Sequence, residues 1–414
     1  MERNLYLNRL IRRKNNGMIK VVTGIRRSGK TYLLFELFYD YLLKSGVNKE
    51  HIIKIALDDR INKKYRDPDV LCEYVHNAVK DDDMYYILLD EVQMVSEFED
   101  VLNSFLHLKN VDTYVTGSNA KFLSKDIVTE FRGRGDQVHM FPLSFAEYVS
   151  GRGVDMQQAW REYTMYGGLP KILEIGSEED KAAYLRDIFK ETYIKDILER
   201  NDVRNPIEME ELLDYLSSAI GGLTNPKKLA DTFKTVKNVS IHPDTIKTYL
   251  DYFEDSFLIS RANRYDVKGK KYISTPMKFY FTDCGLRNVR INFRQYEETH
   301  IMENIIYNEL LIRGYNVDVG MVEFNYCNED KKKVQKQLEV DFVCNQGSKR
   351  LYIQSALALP TKEKEEQEQL SLQSIGDSFK KIIIVKDGPT HYNESGILIL
   401  NLFDFLLKEN SLEY

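Results

Sequence analysis

Short apolar runs that end in polar residues, separated by stretches of helical period, fill the first third of the chain. Ile19, Val21 and Val22 begin the first, and Ile52-Ile53-Lys54-Ile55-Ala56-Leu57 forms the second, closing on Asp58-Asp59. The third, Met84-Tyr85-Tyr86-Ile87-Leu88-Leu89, ends in Asp90-Glu91. The fourth, Thr113-Tyr114-Val115, opens into Thr116-Gly117-Ser118-Asn119, and Gln137-Val138-His139-Met140-Phe141 is stopped by Pro142. Strands that read as continuously apolar are buried on both faces. Five of them interleaved with helical segments predict an α/β fold with a parallel, doubly wound sheet, its site at the carboxyl ends of the strands.

Beyond residue 150 the period becomes helical and Tyr-rich up to about 200, a small lid or linker bundle interrupted by a sharp turn at Gly167-Gly168-Leu169-Pro170. Residues 208–275 carry a winged-helix pattern. One helix covers about 208–220; a second starts at Thr224-Asn225-Pro226, with Asn225 as N-cap and Pro226 in the first turn. A third follows His242-Pro243-Asp244-Thr245 and places Ile246, Tyr249, Leu250 and Phe253 at helical spacing. Leu258-Ile259 and a segment ending at Tyr272-Ile273 are the expected wing strands, around Lys268-Gly269-Lys270-Lys271. After about 298 come a helix containing 303–310, strands at 316–319, 321–326, 339–344 and 351–357, a charged helix at 362–375, and strands at 382–385 and 397–402. Helix, three strands, helix, strand is the core order of restriction-endonuclease-like folds. Lys331-Lys332-Lys333 reads as a solvated hairpin tip. The expected domains are a doubly wound α/β core at 1–149, a helical lid at 150–205, a winged helix at 206–290 and an endonuclease-like α/β domain at 291–414.

Bulk properties narrow the class. A chain of 414 residues with 43% hydrophobic and 29% charged residues suits two to four soluble globular domains. A net charge of −6 argues against a generic polyanion binder while allowing local basic patches. Cys72, Cys284, Cys327 and Cys344 are scattered without metal-like spacing, as in a reducing compartment. The stretch holding Arg9, Arg12, Arg13 and Lys14 lacks the apolar core of a signal peptide, and no run approaches a membrane span. The expected location is cytoplasmic, with no membrane partner.

The chemistry begins at residues 24–31, Gly-Ile-Arg-Arg-Ser-Gly-Lys-Thr, between the first strand and a helix with Leu33, Leu34, Leu37 and Phe38 inward. G-x-x-x-x-G-K-T in that context is a phosphate-binding loop. Gly24 and Gly29 permit the turn, and the amides of Ile25, Arg26, Arg27, Ser28, Gly29 and Lys30 can face phosphate oxygens. Lys30 is expected to reach the β- and γ-phosphates of ATP and Thr31 to hold Mg²⁺. Asp90 and Glu91 end a Walker B strand; Asp90 would orient Mg²⁺ and Glu91 act as general base. Asn119, with Ser118 second, is the expected sensor of the γ-phosphate and attacking water. Arg132 and Arg134, within Phe131-Arg132-Gly133-Arg134-Gly135, form either an arginine finger or a solvated basic turn. The Gly167-Gly168 turn is expected near the nucleotide.

The segments 21–34, 86–93, 116–120 and 141–148 resemble a family of bacterial and archaeal AAA-type ATPases, and 166–170 and 192–197 fit it downstream. In that family the ATPase is usually followed by a characteristic domain of unknown function; Phe279-Tyr280-Phe281-Thr282-Asp283-Cys284-Gly285-Leu286 matches its usual exit segment. The resemblance covers nearly the whole chain. It implies the P-loop fold, the roles given to Lys30, Thr31, Asp90 and Glu91, and a functional arginine at Arg134, in trans in an oligomer or in cis.

The winged helix suggests DNA, but its third helix carries Asp244, Asp251, Glu254 and Asp255 against Lys247, an acidic face that phosphates would avoid. Lys227, Lys228, Lys234, Lys237 and the wing lysines could still contact a backbone; a protein-docking module is the alternative. An endonuclease-like site needs a helix carboxylate, a strand Asp and then Glu-x-Lys. Glu303 and Asp341 match the first two, whereas the third reads Gln354-Ser355-Ala356, so the domain is expected to be inactive unless Lys362 or Lys364 substitutes. The expected function is an ATPase that couples nucleotide state to a macromolecule, DNA foremost. The alternatives are a protein-remodelling or signalling switch, and, last, an ATP-dependent nuclease.

Overall fold

A computed structural model describes residues 2–117, 133–237, 239–327 and 333–413. They form two compact units, Met1–Pro142 with Asp255–Phe257, and Leu143–Glu254 with Leu258–Tyr414. The first unit is built on strands β1 (Ile19–Thr23), β2 (Ile52–Ala56), β3 (Tyr85–Asp90), β4 (Val111–Gly117) and β5 (Gly135–His139). They make one five-stranded sheet in the order β2-β3-β4-β1-β5, parallel throughout. The apolar runs alternate between its two faces: Ile87 and Leu89 pack with Val75, Leu102 and Phe105 on one side, Tyr86 and Leu88 with Leu10, Leu34 and Phe38 on the other. Both faces are therefore covered by helices, as continuously apolar strands require. Lys20 of β1 is buried at 0% exposure and is neutralised by Asp112, which also accepts from Tyr114 Oη at 2.8 Å and the Asn15 amide at 2.9 Å.

The second unit opens with helices Phe145–Arg152 and Met156–Tyr166 and a helical run over 178–201. A capping box between Ser144 and Glu147 starts the first. Pro206–Ser218, 226–237 and Pro243–Asp255 follow as the three expected helices. Asn225 Oδ1 accepts the Lys228 amide at 2.8 Å with Pro226 just inside, the cap that the sequence predicts. The Gly167-Gly168 turn packs on the start of helix Cys284–Arg290, where the Gly168 amide donates to the buried Asp283 carboxylate at 2.7 Å.

The hairpin after the third helix is longer than a wing. Strands β6 (Ile259–Asp266) and β7 (Lys271–Phe281) pair antiparallel, and β6 also runs parallel to β8 (Asn316–Cys327) through Arg264–Asp266. With β9 (Lys333–Gln346), β10 (Lys349–Ala356), β11 (Lys380–Val385), β12 (His391–Tyr392) and β13 (Leu398–Asn401) they build an eight-stranded sheet, β12-β13-β11-β10-β9-β8-β6-β7. The segments separated at 290 in the sequence thus share one hydrogen-bonded sheet, and the first division of the chain falls at 142–143 rather than 149–150. The runs at 316–319 and 321–326 are one strand with an irregularity between Asp318 and Gly320. A Cβ at Gly320 would stand 2.8 Å from Val340 Cβ and Val343 Cγ2, so the glycine marks close packing rather than a break. Lys331 and Lys332 lie outside the described residues. Helix Glu298–Ile312, β8-β9-β10, helix Lys362–Gln373 and β11 reproduce the expected element order.

Candidate nucleotide site and a second charged cluster

The loop at 24–31 leaves the carboxyl end of β1, the strand with β4 on one side and β5 on the other. Gly24 has φ +140°, and a Cβ there would lie 2.1 Å from the Met140 carbonyl oxygen; Gly29 has φ +97° and starts the helical run over 30–44. Both conformations favour glycine, and they wrap the loop around its own centre. Lys30, 5% exposed, donates from Nζ to the carbonyls of Gly24 at 2.9 Å and Ile25 at 3.0 Å. Burial pulls its pKa down to about 8, with Glu91 and Asp90 opposing the shift. Among the described residues the buried Ser28 hydroxyl has no hydrogen-bond partner.

Asp90 ends β3 beside this loop. It accepts Thr31 Oγ1 at 2.8 Å on one oxygen and Thr116 Oγ1 at 2.5 Å on the other. Burial pushes its carboxyl up, and the two hydroxyls pull it partly back. Thr116, at the tip of β4, also accepts the Glu91 amide at 3.0 Å. Glu91 adopts a left-handed backbone, φ 53°, and its carboxylate accepts the Gln93 side-chain amide. On the β5 side, Thr23 Oγ1 accepts Gln137 Nε2 at 2.8 Å and meets His139 Nδ1 at 3.1 Å.

Lys30, Thr31, Asp90 and Glu91 are thus brought to one sheet edge, as the motifs predict. Asn119, Ser118 and Arg132 lie outside the described residues. Arg134 goes elsewhere: its carbonyl accepts the Ile19 amide at 2.8 Å, at the amino end of β1. The parallel register from Ile19 opposite Gly135 to Thr23 opposite His139 puts it about 13 Å of strand from the P-loop edge, at about 3.3 Å per residue. The Arg134 backbone thus starts at the opposite end of β1 from its own chain's loop. Thr116 and Gln93 were given no role by the motifs. Their signal was a threonine at the tip of the strand beside Walker B and an amide two residues after the base.

A second cluster lies in the eight-stranded sheet. Glu303 on helix Glu298–Ile312 and Asp341 on β9 are 6% and 7% exposed. The cation between them comes from β7, not from Lys362 or Lys364: Lys278 Nζ is 2.8 Å from Glu303, 2.7 Å from Glu339 and 4.0 Å from Asp341. Lys364 is instead paired with Glu368 at 2.5 Å. Tyr280 Oη donates to Glu303 at 2.5 Å, and the Ser355 amide and hydroxyl donate to Asp341 at 2.8 and 2.9 Å. Gln354 Oε1 faces the Asp341 amide at 3.3 Å. Burial pushes Glu303 up, but Lys278 heads the partners that hold it well below the carboxylate range; burial and the Glu303 charge raise Asp341.

The acidic face of helix Pro243–Asp255 is compensated in part. Arg261 of β6 pairs with Asp251 at 2.8 Å and with Glu254. Lys227, Lys228 and Lys234 are exposed on the preceding helical run, as are Lys268, Lys270 and Lys271 in the turn of the hairpin.

A P-loop at the end of a central strand, with Walker B carboxylates beside it in a five-stranded parallel sheet, defines a nucleotide-binding ATPase domain of the AAA class. The family comparison agrees: residues 16–149 match the model described as an AAA domain, and 157–297 one described as a domain of unknown function, DUF8612. The chain is 32% identical over 414 residues to an uncharacterized protein of Haemophilus influenzae, covering 99% of each. It belongs to that protein's family, an AAA ATPase family. An uncharacterized protein of Methanocaldococcus jannaschii is 29% identical over 350 residues, 80% of this chain and 73% of the other. Among solved structures, the Aeropyrum pernix ORC1 protein in complex with DNA aligns at 11% identity and TM-score 0.32, over 70% of this chain and 92% of that one. AMPPCP-bound DnaA from Aquifex aeolicus aligns at 15% and 0.31, over 60% and 85%. Scores this low carry no functional argument. Among the described residues no helix is long and apolar enough to cross a membrane.

Proposed function

We propose that the chain hydrolyses Mg²⁺·ATP and uses the cycle to alter its hold on DNA. The observation that carries the ATPase reading is the closed set Lys30, Thr31, Asp90 and Thr116 around a loop whose buried Ser28 hydroxyl lacks a partner among the described residues. A polar cradle with an unsatisfied buried group suits a phosphate. Thr31 and Asp90 offer the oxygens for Mg²⁺, which when bound neutralises phosphate charge. Lys30 leaves the Gly24 and Ile25 carbonyls to meet the β- and γ-phosphates. Glu91 takes the proton of the attacking water, and Thr116 keeps the backbone at Glu91 in place. Asn119 positions that water. Arg134, at the far edge of the sheet, serves the site of a neighbouring copy.

DNA as the partner is supported by the pairing of Asp251 and Glu254 with Arg261, which reduces the acidity of the third helix, and by the exposed lysines of the second unit, under the winged-helix reading of 206–290. The elements after 298 read as an endonuclease-like core. The deciding measurement is ATP turnover with and without duplex and single-stranded DNA, with Glu91→Gln as the blank. The expected result is stimulation by DNA that weakens steeply with salt and vanishes in the variant. Turnover indifferent to DNA at low salt overturns the partner and leaves a protein-directed switch; wild-type turnover equal to the blank overturns the hydrolytic reading.

A further inference from the structure

The carboxylates that a nuclease of this element order devotes to metal are already occupied by a side chain. We propose that Lys278 is the resident cation of the Glu303–Glu339–Asp341 cluster, standing where a divalent ion would, so that the sheet holds no catalytic metal and leaves bound polynucleotide uncut. The inference rests on the endonuclease-like reading of the C-terminal elements.

Three independent features carry it. The ammonium lies within hydrogen-bond range of two carboxylates and 4.0 Å from the third, while Lys278 itself is 3% exposed. An ammonium has three donors and no acceptor, so it satisfies converging carboxylates without leaving a valence open for phosphate or water. Neighbouring donors take up further acceptor capacity: Tyr280 donates to the same Glu303 oxygen as Lys278, and Ser355 donates twice to one oxygen of Asp341. Mg²⁺ requires near-octahedral oxygen ligands at about 2.1 Å, and soft or neutral replacements serve it poorly. Here the neutral Gln354 spends its oxygen on the Asp341 amide. Finally, the carboxylates converge on the lysine rather than on one another. Among the described residues, the only set of three or more His, Cys, Asp or Glu side chains whose ligand atoms all lie within 4.8 Å of one another is His51, Asp81 and Asp83, in the other unit.

A metal could enter only by expelling the ammonium, and a buried ammonium deprived of its carboxylates is strongly disfavoured. The residues present do not fit a metal, and the lysine that replaces it comes from the hairpin strand β7, 25 residues before Glu303 in the chain.

The test is Mn²⁺ binding, followed by electron paramagnetic resonance on the nucleotide-free full chain. The signal of this cluster is defined as the part lost on Asp341→Asn. The wild type is expected to show no such part, and Lys278→Met to gain one bound Mn²⁺ that the added Asp341→Asn removes. A Lys278→Met chain that folds only when Mn²⁺ is supplied supports the proposal equally. Asp341-dependent Mn²⁺ in the wild type overturns the proposal while leaving the endonuclease-like reading intact. A folded Lys278→Met that gains no Mn²⁺ overturns both, as does one that stays unfolded with Mn²⁺ present.

Discussion

Gln93 bears directly on the base role proposed for Glu91. Its amide donates to the Glu91 carboxylate, and a hydrogen bond to a charged group is worth about 1.5 kcal/mol, close to tenfold in population. Gln93→Ala is expected to raise basal ATP turnover by up to about tenfold, measured as steady-state phosphate release, with nucleotide affinity unchanged. Turnover falling to the Glu91→Gln level would instead make Gln93 a support for the base. Residues of the nucleotide site were legible where chemistry is written contiguously, as in 24–31 and 90–91. Thr116 and Gln93 were not, because their roles depend on which strand tips become neighbours. Lys278 was hidden for the same reason: it lies beyond the expected end of the wing strand at Ile273, and only the longer strand and its sheet carry it to Glu303.

At the level of elements, the helix Glu298–Ile312 is tied to β7 by side chain rather than by apolar contact alone. Asn304 accepts the Phe281 amide and donates to the Phe281 carbonyl, both at 2.7 Å and both buried. Asn308 also reaches that carbonyl, at 2.9 Å, so Asn304→Ala orphans chiefly the amide. The expected cost is about 2 kcal/mol, read as a lower denaturant midpoint at unchanged slope. Element existence was readable for the longer elements from period and caps, as Asn225 illustrates, but not for the short helices Cys284–Arg290 and Leu402–Leu407. Extent was not: Gly320 divides one strand into two apolar runs along the chain, and the basic turn after Asp266 disguises a long hairpin as a short wing.

For the whole molecule, acid should loosen the two units in separate windows. His139, in the first unit, is held down to about 4 from its ordinary 6.5 by burial, with Lys30 and Arg9 adding to the shift. The unfolded chain therefore takes up a proton that the folded one refuses, and stability drains as pH falls from 6.5 toward 4. In the second unit burial pushes Glu162 up, but Arg152, Lys181 and Gln158 overcome it and hold it at about 2. That contribution is present above its ordinary value near 4.5 and disappears as pH falls from there to about 2. Thermal melts from about pH 2 to about pH 7 are expected to show both losses, with His139→Gln flattening the upper window and Glu162→Gln the lower.

The strand pairing of Arg264–Asp266 with Val319–Met321 bears on how such a chain is inherited and cut. A recombination crossover or cloning primer placed at residue 290 parts β6 and β7 from the other six strands of the sheet and bares an edge on each fragment, the kind of surface that recruits stray strands into aggregates. Crossovers among relatives should therefore survive at 142–143 and be purged at 290, so that the hairpin and the C-terminal strands travel through lineages as one heritable block.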